Sequence, residues 1–369
     1  MNDSVYLVRA IALAKQGLYT TDPNPRVGCV IVKSDQIVGE GWHQQAGGPH
    51  AEINALAQAG DKAREATCYV TLEPCCHYGR TAPCTEALIQ AGISRVIVAI
   101  KDPNPKIAGK GLDQLRAAGI EVTHGLFVDE AKILNLGFIQ RFTLNRPWVR
   151  CKLAMSLDGA TALDSGESRW ITSPAARRDV QRWRARSSGI LTGIGTILHD
   201  NPSLNVRYDE LREQIPELFQ RQPLRIILDQ KLALPEHAKI LSLPGSVLII
   251  CEDSSHPKAG ILRNLGAEVI SIPLLEEKLD LALLMNVLAQ REINELHVEC
   301  GAKLAGSLLQ AGLIDELILY IAPKLMGDNT LGLFHLLGIN TMKDTIDVVI
   351  KEVRAIGDDW RFTIHFNKN

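Results

Sequence analysis

The hydrophobic positions of this chain change period again and again, and each change marks a switch between helix and strand. From Asp3 to about Gly17 the series Val5, Val8, Ala12 and Leu7, Ile11, Ala14, Leu18 recur at helical spacing, with Asp3 or Ser4 placed to cap the first turn. Asp22-Pro23-Asn24-Pro25 breaks that helix. Gly28 to Val32 then reads as a buried strand, turned back by Ser34-Asp35-Gln36 into a second strand from Ile37 to His43. Behind Gly47-Gly48-Pro49, His50 opens a helix to about Ala59, because proline suits a first helical turn. Thr67 to Leu72 is a strand and Cys84 starts a helix to Ala91. Arg95 to Ile100 follows as a strand, Gly111 to Ala118 as a helix, Ile120 to Thr123 as a strand, and Asp129 to Phe142 as one helix.

Asn145-Arg146-Pro147 interrupts the pattern, and the expected domains are residues 1–145 and 146–369. Beyond it Trp148 to Ala154, Gly189 to Thr192, Leu224 to Leu228, Val247 to Cys251, Glu268 to Ile272, Glu295 to Glu299 and Glu316 to Ile321 read as strands. Helices are expected at Pro174 to Ala185, Leu279 to Arg291 and Leu304 to Ala311. A hairpin of Val348 to Val353 and Trp360 to His365 closes the chain, and the charged, Gln-rich span Tyr208 to Gln222 reads as a surface excursion. Strands alternating with helices predict an α/β class with sites at strand ends. No internal repeat relates the two halves.

Composition narrows the partners. A net charge of -2 without a basic block argues against a binder that neutralises many phosphates, so nucleic acid is excluded and a small metabolite is expected. Eight cysteines in 369 residues are not a disulfide scaffold. Arg9 and Lys15 interrupt the apolar N-terminus, and no stretch is long and apolar enough to span a bilayer; a reducing cytoplasm is the expected compartment.

The chemistry concentrates in Pro49-His50-Ala51-Glu52 and in the run from Glu73-Pro74-Cys75-Cys76-His77 to Cys84. One imidazole and two thiolates, His50, Cys75 and Cys84, give three zinc ligands and leave a fourth position for water, the hallmark of a catalytic rather than a structural site. Glu52 stays off the metal as the proton shuttle. The gap from Cys75 to Cys84 is longer than the usual two-residue spacing, with Cys76 and His77 as rival ligands inside it. In the second half, Gly193-Ile194-Gly195-Thr196 and Cys300-Gly301-Ala302-Lys303 each follow a strand, where backbone amides can approach phosphate. Arginines of Pro174 to Ala185 and the loops beyond, Arg184 and Arg207 among them, are candidates for pairing a phosphate bidentately.

With both halves in view, the sequence resembles the bifunctional riboflavin-biosynthesis family, a pyrimidine deaminase fused to a 5-amino-6-(5-phosphoribosylamino)uracil reductase. The resemblance covers nearly the whole chain. It rests on HAE at His50 to Glu52, PCCHYGRTAPC, KDPNPKIAGKG, KLAMSLDGATA, GESRWIT, the GIGT loop continuing to Asp200-Asn201-Pro202, and VECGAKL. It implies a cytidine-deaminase-like three-layer domain followed by a dihydrofolate-reductase-like α/β domain. It also implies zinc at His50, Cys75 and Cys84, Glu52 as shuttle, and a phosphorylated pyrimidine held by Asn24, His43, His77 and Arg80. NADPH is implied near Ala154, Trp170, Thr196, Asp200 and the turn Gly301, Ala302, Lys303, Leu304, Ala305, Gly306 and Ser307. Reductase substrate contacts are implied at Ser168, Arg184, Leu204, Arg207 and Glu299, and the assembly as a homo-oligomer, dimer or tetramer. Ala82 stands where a second proline is common in the family, and Cys300 where a glycine is usual.

Overall fold

The computed structural model describes residues 3–78, 82–105, 107–211 and 221–366. The chain divides into two compact units, Met1–Asn145 and Arg146–Asn369.

The first unit is built on a five-stranded sheet of β1 (Gly28–Lys33), β2 (Gln36–Trp42), β3 (Thr67–Leu72), β4 (Arg95–Ile100) and β5 (Glu121–His124), in the order β2-β1-β3-β4-β5. β1 runs antiparallel to β2 and β3, whereas β3, β4 and β5 are parallel. Alternate residues face opposite sides, as the two-residue period of a strand dictates. Cys29, Ile31, Cys68, Val70, Val96 and Val98 meet α2 (Ala51–Ala59), α3 (Cys84–Gln90) and α4 (Lys110–Ala117) on one face. Val30, Val32, Tyr69 and Ile97 pack on the other against α1 (Asp3–Ala14), α5 (Val128–Leu134) and α6 (Leu136–Leu144). The result is three layers, helix on sheet on helix.

The single helix expected from Asp129 to Phe142 is two, α5 and α6, parted at Asn135 with φ −128°. The buried Asn135 side chain accepts from the Arg26 amide at 2.8 Å and donates to the Arg26 carbonyl at 2.9 Å. Those two bonds hold the residue out of helical geometry, since Asn readily trades helix for side-chain bonding to backbone.

The second unit carries β6 (Trp148–Ser156), β7 (Gly189–Gly193), β8 (Leu224–Leu228), β9 (Val247–Cys251), β10 (Ala267–Ser271), β11 (Glu295–Glu299), β12 (Glu316–Ala322), β13 (Val348–Ile356) and β14 (Asp359–Phe366). They form one sheet in the order β10-β9-β8-β7-β11-β6-β12-β14-β13, parallel from β10 to β12 and antiparallel for the closing hairpin. Its helices include α7 (Pro174–Arg186), α8 (Ile194–Asp200), α9 (Pro257–Asn264), α10 (Leu281–Gln290) and α11 (Ala302–Gln310). Of these α8 and α9 have no expected counterpart; along α9 only Ala259 and Leu262 are buried, too few to set a visible period. The stretch Ile194 to Thr196, expected to be a glycine turn, is already the first turn of α8. Most of the expected excursion Tyr208 to Gln222 lies outside the described residues.

The two faces of this sheet differ in chemistry. Val149, Cys151 and Leu153 of β6 join an apolar core with α10 and α11. Arg150 and Lys152 alternate onto the opposite face, as do Glu295, His297 and Glu299 of β11, paired in register as His297 with Arg150 and Glu299 with Lys152. There the seat for α7 is ionic: Arg150 pairs with Glu295 at 2.9 Å and with Glu316, and Arg186 pairs with Glu295 at 2.8 Å.

Candidate active sites

In the first unit, loops deliver the chemistry to helix starts. His50 is the extended residue that caps α2, Cys84 is the first residue of α3, and Cys75 follows β3 by three positions. The ligand atoms of these three residues all lie within 4.8 Å of one another. His50 Nδ1 is 3.3 Å from Cys84 Sγ and 3.5 Å from Cys75 Sγ. Nitrogen and sulfur on one tetrahedral zinc stand roughly 3.6 Å apart, so the set fits that ion without rearrangement. The Cys84 amide, at the start of α3, donates to Cys75 Sγ at 3.3 Å. Hydrogen bonds from the Cys84 thiol, then from His50 and the Cys84 amide, outweigh burial and hold the Cys75 thiol well below its usual range. Among the described residues Cys76 and His77 do not join this group. His77 is exposed, and Arg80 lies outside the described residues.

Glu52 sits one position into α2 and is 3% exposed. Burial pushes its carboxyl up to about 7, and it makes a hydrogen bond with the Cys84 thiol. Asn24 and His43 come together, with the His43 ring 5.3 Å from that of His50: Asn24 Nδ2 is 3.0 Å from His43 Nε2, and His43 Nδ1 is 3.0 Å from the Pro49 carbonyl. A carbonyl only accepts, so Nδ1 carries the proton and Nε2 accepts from the Asn24 amide. Burial lowers the His43 pKa, in keeping with that neutral ring. The Asn24 side-chain oxygen makes no hydrogen bond among the described residues.

Sequence reasoning missed the support under this loop. The Glu73 carboxylate is buried and accepts from the amides of Asp102, Gly109, Gly111 and Leu112 at 3.1, 2.9, 3.0 and 3.4 Å. It thereby straps the KDPNPKIAGKG stretch beneath Pro74-Cys75. A Cβ on Gly111 would stand 2.3 Å from the Pro74 carbonyl oxygen, so glycine is required there. The signal was a carboxylate directly before the Pro-Cys and a glycine-bearing run far downstream.

The second unit holds a cavity of about 1520 Å³ over the carboxyl ends of β6, β11, β7 and β8. Ala154, Trp170, Thr196 and Asp200 line it, as do Gly301, Ala302, Lys303, Leu304 and Ser307. Ala305 and Gly306 do not: Ala305 belongs to the apolar core, and Gly306 is pressed against the His335 backbone. No side chain caps the start of α11, so its first amides are open to an anion. This opening, the flanking exposed Trp170 and the cavity's size fit a dinucleotide. Cys300 lines the cavity and also packs against the apolar core, its thiol hydrogen-bonded to that of Cys151.

Ser168, Arg184, Leu204, Arg207 and Glu299 line the same cavity. Arg184 grips Glu299 with two bonds of 2.5 and 2.9 Å and donates its remaining arm to the Asn205 carbonyl at 2.9 Å. Three of its five N–H groups are thereby engaged within the protein. Burial opposes the charge on Glu299, but Arg184 outweighs it and keeps the carboxyl well below its ordinary value. His297, fully buried, stands 3.4 Å from the same carboxylate. Lys152 was not singled out from sequence, where it looks like one more residue of a buried strand. It lines the cavity beside Glu299, and burial lowers its pKa while the Glu299 charge raises it.

Comparison with known proteins matches residues 147–362 to the RibD C-terminal domain and residues 1–100 to the cytidine and deoxycytidylate deaminase zinc-binding region. The riboflavin biosynthesis protein RibD of Escherichia coli K12 is 50% identical over 365 residues, which span 97% of this chain and 98% of that protein. The chain belongs to the RibD family. RibD of Haemophilus influenzae is also 50% identical, over 98% of this chain and 96% of its own. A crystal form of Acinetobacter baumannii RibD superposes with a TM-score of 0.90 at 44% identity, covering 99% of both chains. A Thermotoga maritima diaminohydroxyphosphoribosylaminopyrimidine deaminase/5-amino-6-(5-phosphoribosylamino)uracil reductase does so at 0.84 and 33%, again over 99% of both. As a RibD protein the chain is a bifunctional enzyme of riboflavin biosynthesis, a deaminase and a reductase whose cofactors are zinc and NADPH.

Proposed function

We propose that residues 1–145 are the deaminase domain and residues 146–369 the reductase domain, and that their reactions run in that order. The first hydrolyses the C2 amine of 2,5-diamino-6-ribosylamino-4(3H)-pyrimidinone 5′-phosphate. The second reduces the ribosyl group of the resulting 5-amino-6-(5-phosphoribosylamino)uracil to ribityl. The observation that carries the first step is the convergence of His50, Cys75 and Cys84 beside the buried Glu52.

Zinc in that triad supplies a Lewis acid that activates water. Glu52 takes a proton from the attacking water and returns one to the departing amine, which leaves as ammonia. Burial leaves its carboxyl near 7, poised to carry a proton in either direction. The Asn24 oxygen accepts from a ring N–H or amine of the substrate, and His43 fixes the orientation of the Asn24 amide.

NADPH supplies hydride to C1′ of the opened sugar. The uncapped start of α11 binds its pyrophosphate, and Trp170 flanks the cavity. Glu299, held ionised by Arg184, is an acceptor: it orients a sugar hydroxyl or steadies the cationic imine, rather than donating a proton from the resting enzyme. Lys152 adds hydrogen-bond donors from the β6 side. The substrate phosphate falls to Arg207, whose exposed pairing with Glu210 is cheap to exchange.

A second copy of the chain is the expected partner. β13 is paired on one side only, by β14, and Val348, Ile350 and Val353 are 46, 54 and 47% exposed along it. Such an edge is a template for self-association. Among the described residues no helix is long and apolar enough to cross a membrane, and the cytoplasm is the proposed compartment.

The decisive experiment incubates zinc-loaded protein with the diaminopyrimidinone phosphate, with and without NADPH, following ammonia and cofactor absorbance. Ammonia release without NADPH, then NADPH consumption dependent on that release, is the expected result. Zinc-loaded protein that frees no ammonia would sink the deaminase reading.

A further inference from the structure

We propose that Lys239 and Lys278 read the 2′-phosphate of NADPH and so set the preference of this reductase for NADPH over NADH. The inference rests on the reductase reading above. The cavity crosses the carboxyl ends of β6, β11, β7 and β8, which are successive neighbours in the sheet. Strands lie about 4.8 Å apart, so three steps carry a bound ligand roughly 14 Å from Lys152 on β6 to Leu228 on β8. Lys152 and Glu299 fix the reacting end at β6 and β11, and the open amides of α11 follow β11 for the pyrophosphate. The adenosine half is then left with the β8 end.

Two lysines, Lys239 and Lys278, line the cavity there. The main-chain amide of Lys239 is tied to Asn201 Oδ1 at 2.9 Å, directly after Asp200 and the end of α8. Gln230, just past β8, donates to the Glu277 carbonyl at 3.1 Å and to Glu252 Oε2 at 2.9 Å, drawing the backbone before Lys278 to the same place. The protein thus anchors the main chain at or beside each lysine, while neither ammonium has a hydrogen bond or ion pair among the described residues.

The guanidinium groups of Arg169, Arg184 and Arg207, which line the cavity too, are already paired, with Asp200, Glu299 and Glu210, and that of Arg177 donates to the Thr172 carbonyl at 2.8 Å and lies over the Trp170 ring. Lys303, the second residue of α11, stands with the pyrophosphate amides instead. A carboxylate at this position suits the free 2′-hydroxyl of NADH, whereas a cation accommodates the 2′-phosphate. The acids that line the cavity, Asp200 and Glu299, are taken up by Arg169 and Arg184, and Glu252 by the Gln230 amide, so none of them neutralises the two lysines.

The test titrates the full-length protein with NADPH and with NADH, by nicotinamide fluorescence, for wild type, Lys239→Gln, Lys278→Gln and the double variant. Each substitution is expected to weaken NADPH roughly 10-fold, the loss of one charge-assisted contact, and to leave NADH within about twofold. In competition, 2′,5′-ADP should displace NADPH far better than 5′-AMP from wild type, and no better from the double variant. Both lysines are exposed, so thermal midpoints should match wild type and certify the fold. A double variant that keeps the wild-type ratio of NADPH to NADH affinity overturns the proposal. A wild type that binds neither dinucleotide overturns the reductase reading with it.

Discussion

At the scale of single residues, Glu52 and Lys152 separate the two activities. Glu52→Gln keeps the shape of the side chain and removes its ability to carry a proton. Ammonia release should fall by ~10²–10⁴-fold, the usual worth of general acid-base catalysis, while zinc content by metal analysis stays at one ion per chain. Near-normal release from a zinc-loaded variant would remove Glu52 from the mechanism. Lys152→Met should instead lower reductase kcat/KM by ~10-fold or more and leave ammonia release alone, since the change deletes a donor facing Glu299. The two residues also differ in how readable they were. Glu52 stands two positions from a metal-ligating histidine at a proline-marked helix start. Lys152 sits in an alternating strand whose inner face turns out to be ionic, and nothing local announces that the helix laid across it is α7 with its arginines.

At the scale of elements, what the sequence made legible is what local pattern determines. β3, β4, β8, β9 and β11 have the expected bounds: β4 and β9, buried between parallel neighbours, read as near-continuous apolar runs, whereas β11 reads by alternation, with Leu296 and Val298 set between Glu295, His297 and Glu299. The break at Asn135 was illegible because its cause is Arg26, 109 residues away. The zinc loop was readable at its ligands and opaque at its foundation for the same reason: the amides that Glu73 collects come from 29 to 39 residues downstream. That foundation is testable. Glu73→Gln presents an amide N–H to donors, leaving at least one buried N–H unpaired at a cost of ~1–3 kcal/mol. Zinc affinity should drop, as read by competition with a chromogenic chelator, and ammonia release should recover at high zinc. Unchanged chelator competition would show that the loop needs no strap.

At the scale of the whole molecule, the ionic seat under α7 makes the stability of the second unit depend on acid. Burial alone would raise the pKa of Glu316, but the charge of Arg150 and bonds from His365 and Arg150 outweigh it, and the carboxyl sits at about 2. In the unfolded chain it returns to 4.5. A depressed carboxylate contributes stability that is complete above the unfolded value and is lost as pH falls from 4.5 toward 2, amounting here to about 3 kcal/mol. Glu299 is shifted in the same direction by Arg184, so the acid loss should be steeper than one group can give. Four of the five tryptophans, Trp148, Trp170, Trp183 and Trp360, lie in this unit and Trp42 lies in the first, so in a Trp42→Phe background tryptophan emission during urea unfolding reports the second unit in the intact chain. The midpoint should hold from neutrality to about pH 5 and then drop. Glu316→Gln should be less stable at neutral pH, because Arg150 loses a buried partner, yet show a shallower drop below pH 4.5. Parallel acid profiles for the variant and the wild type would mean that Glu316 titrates normally and that the seat is held by packing around Trp183 instead.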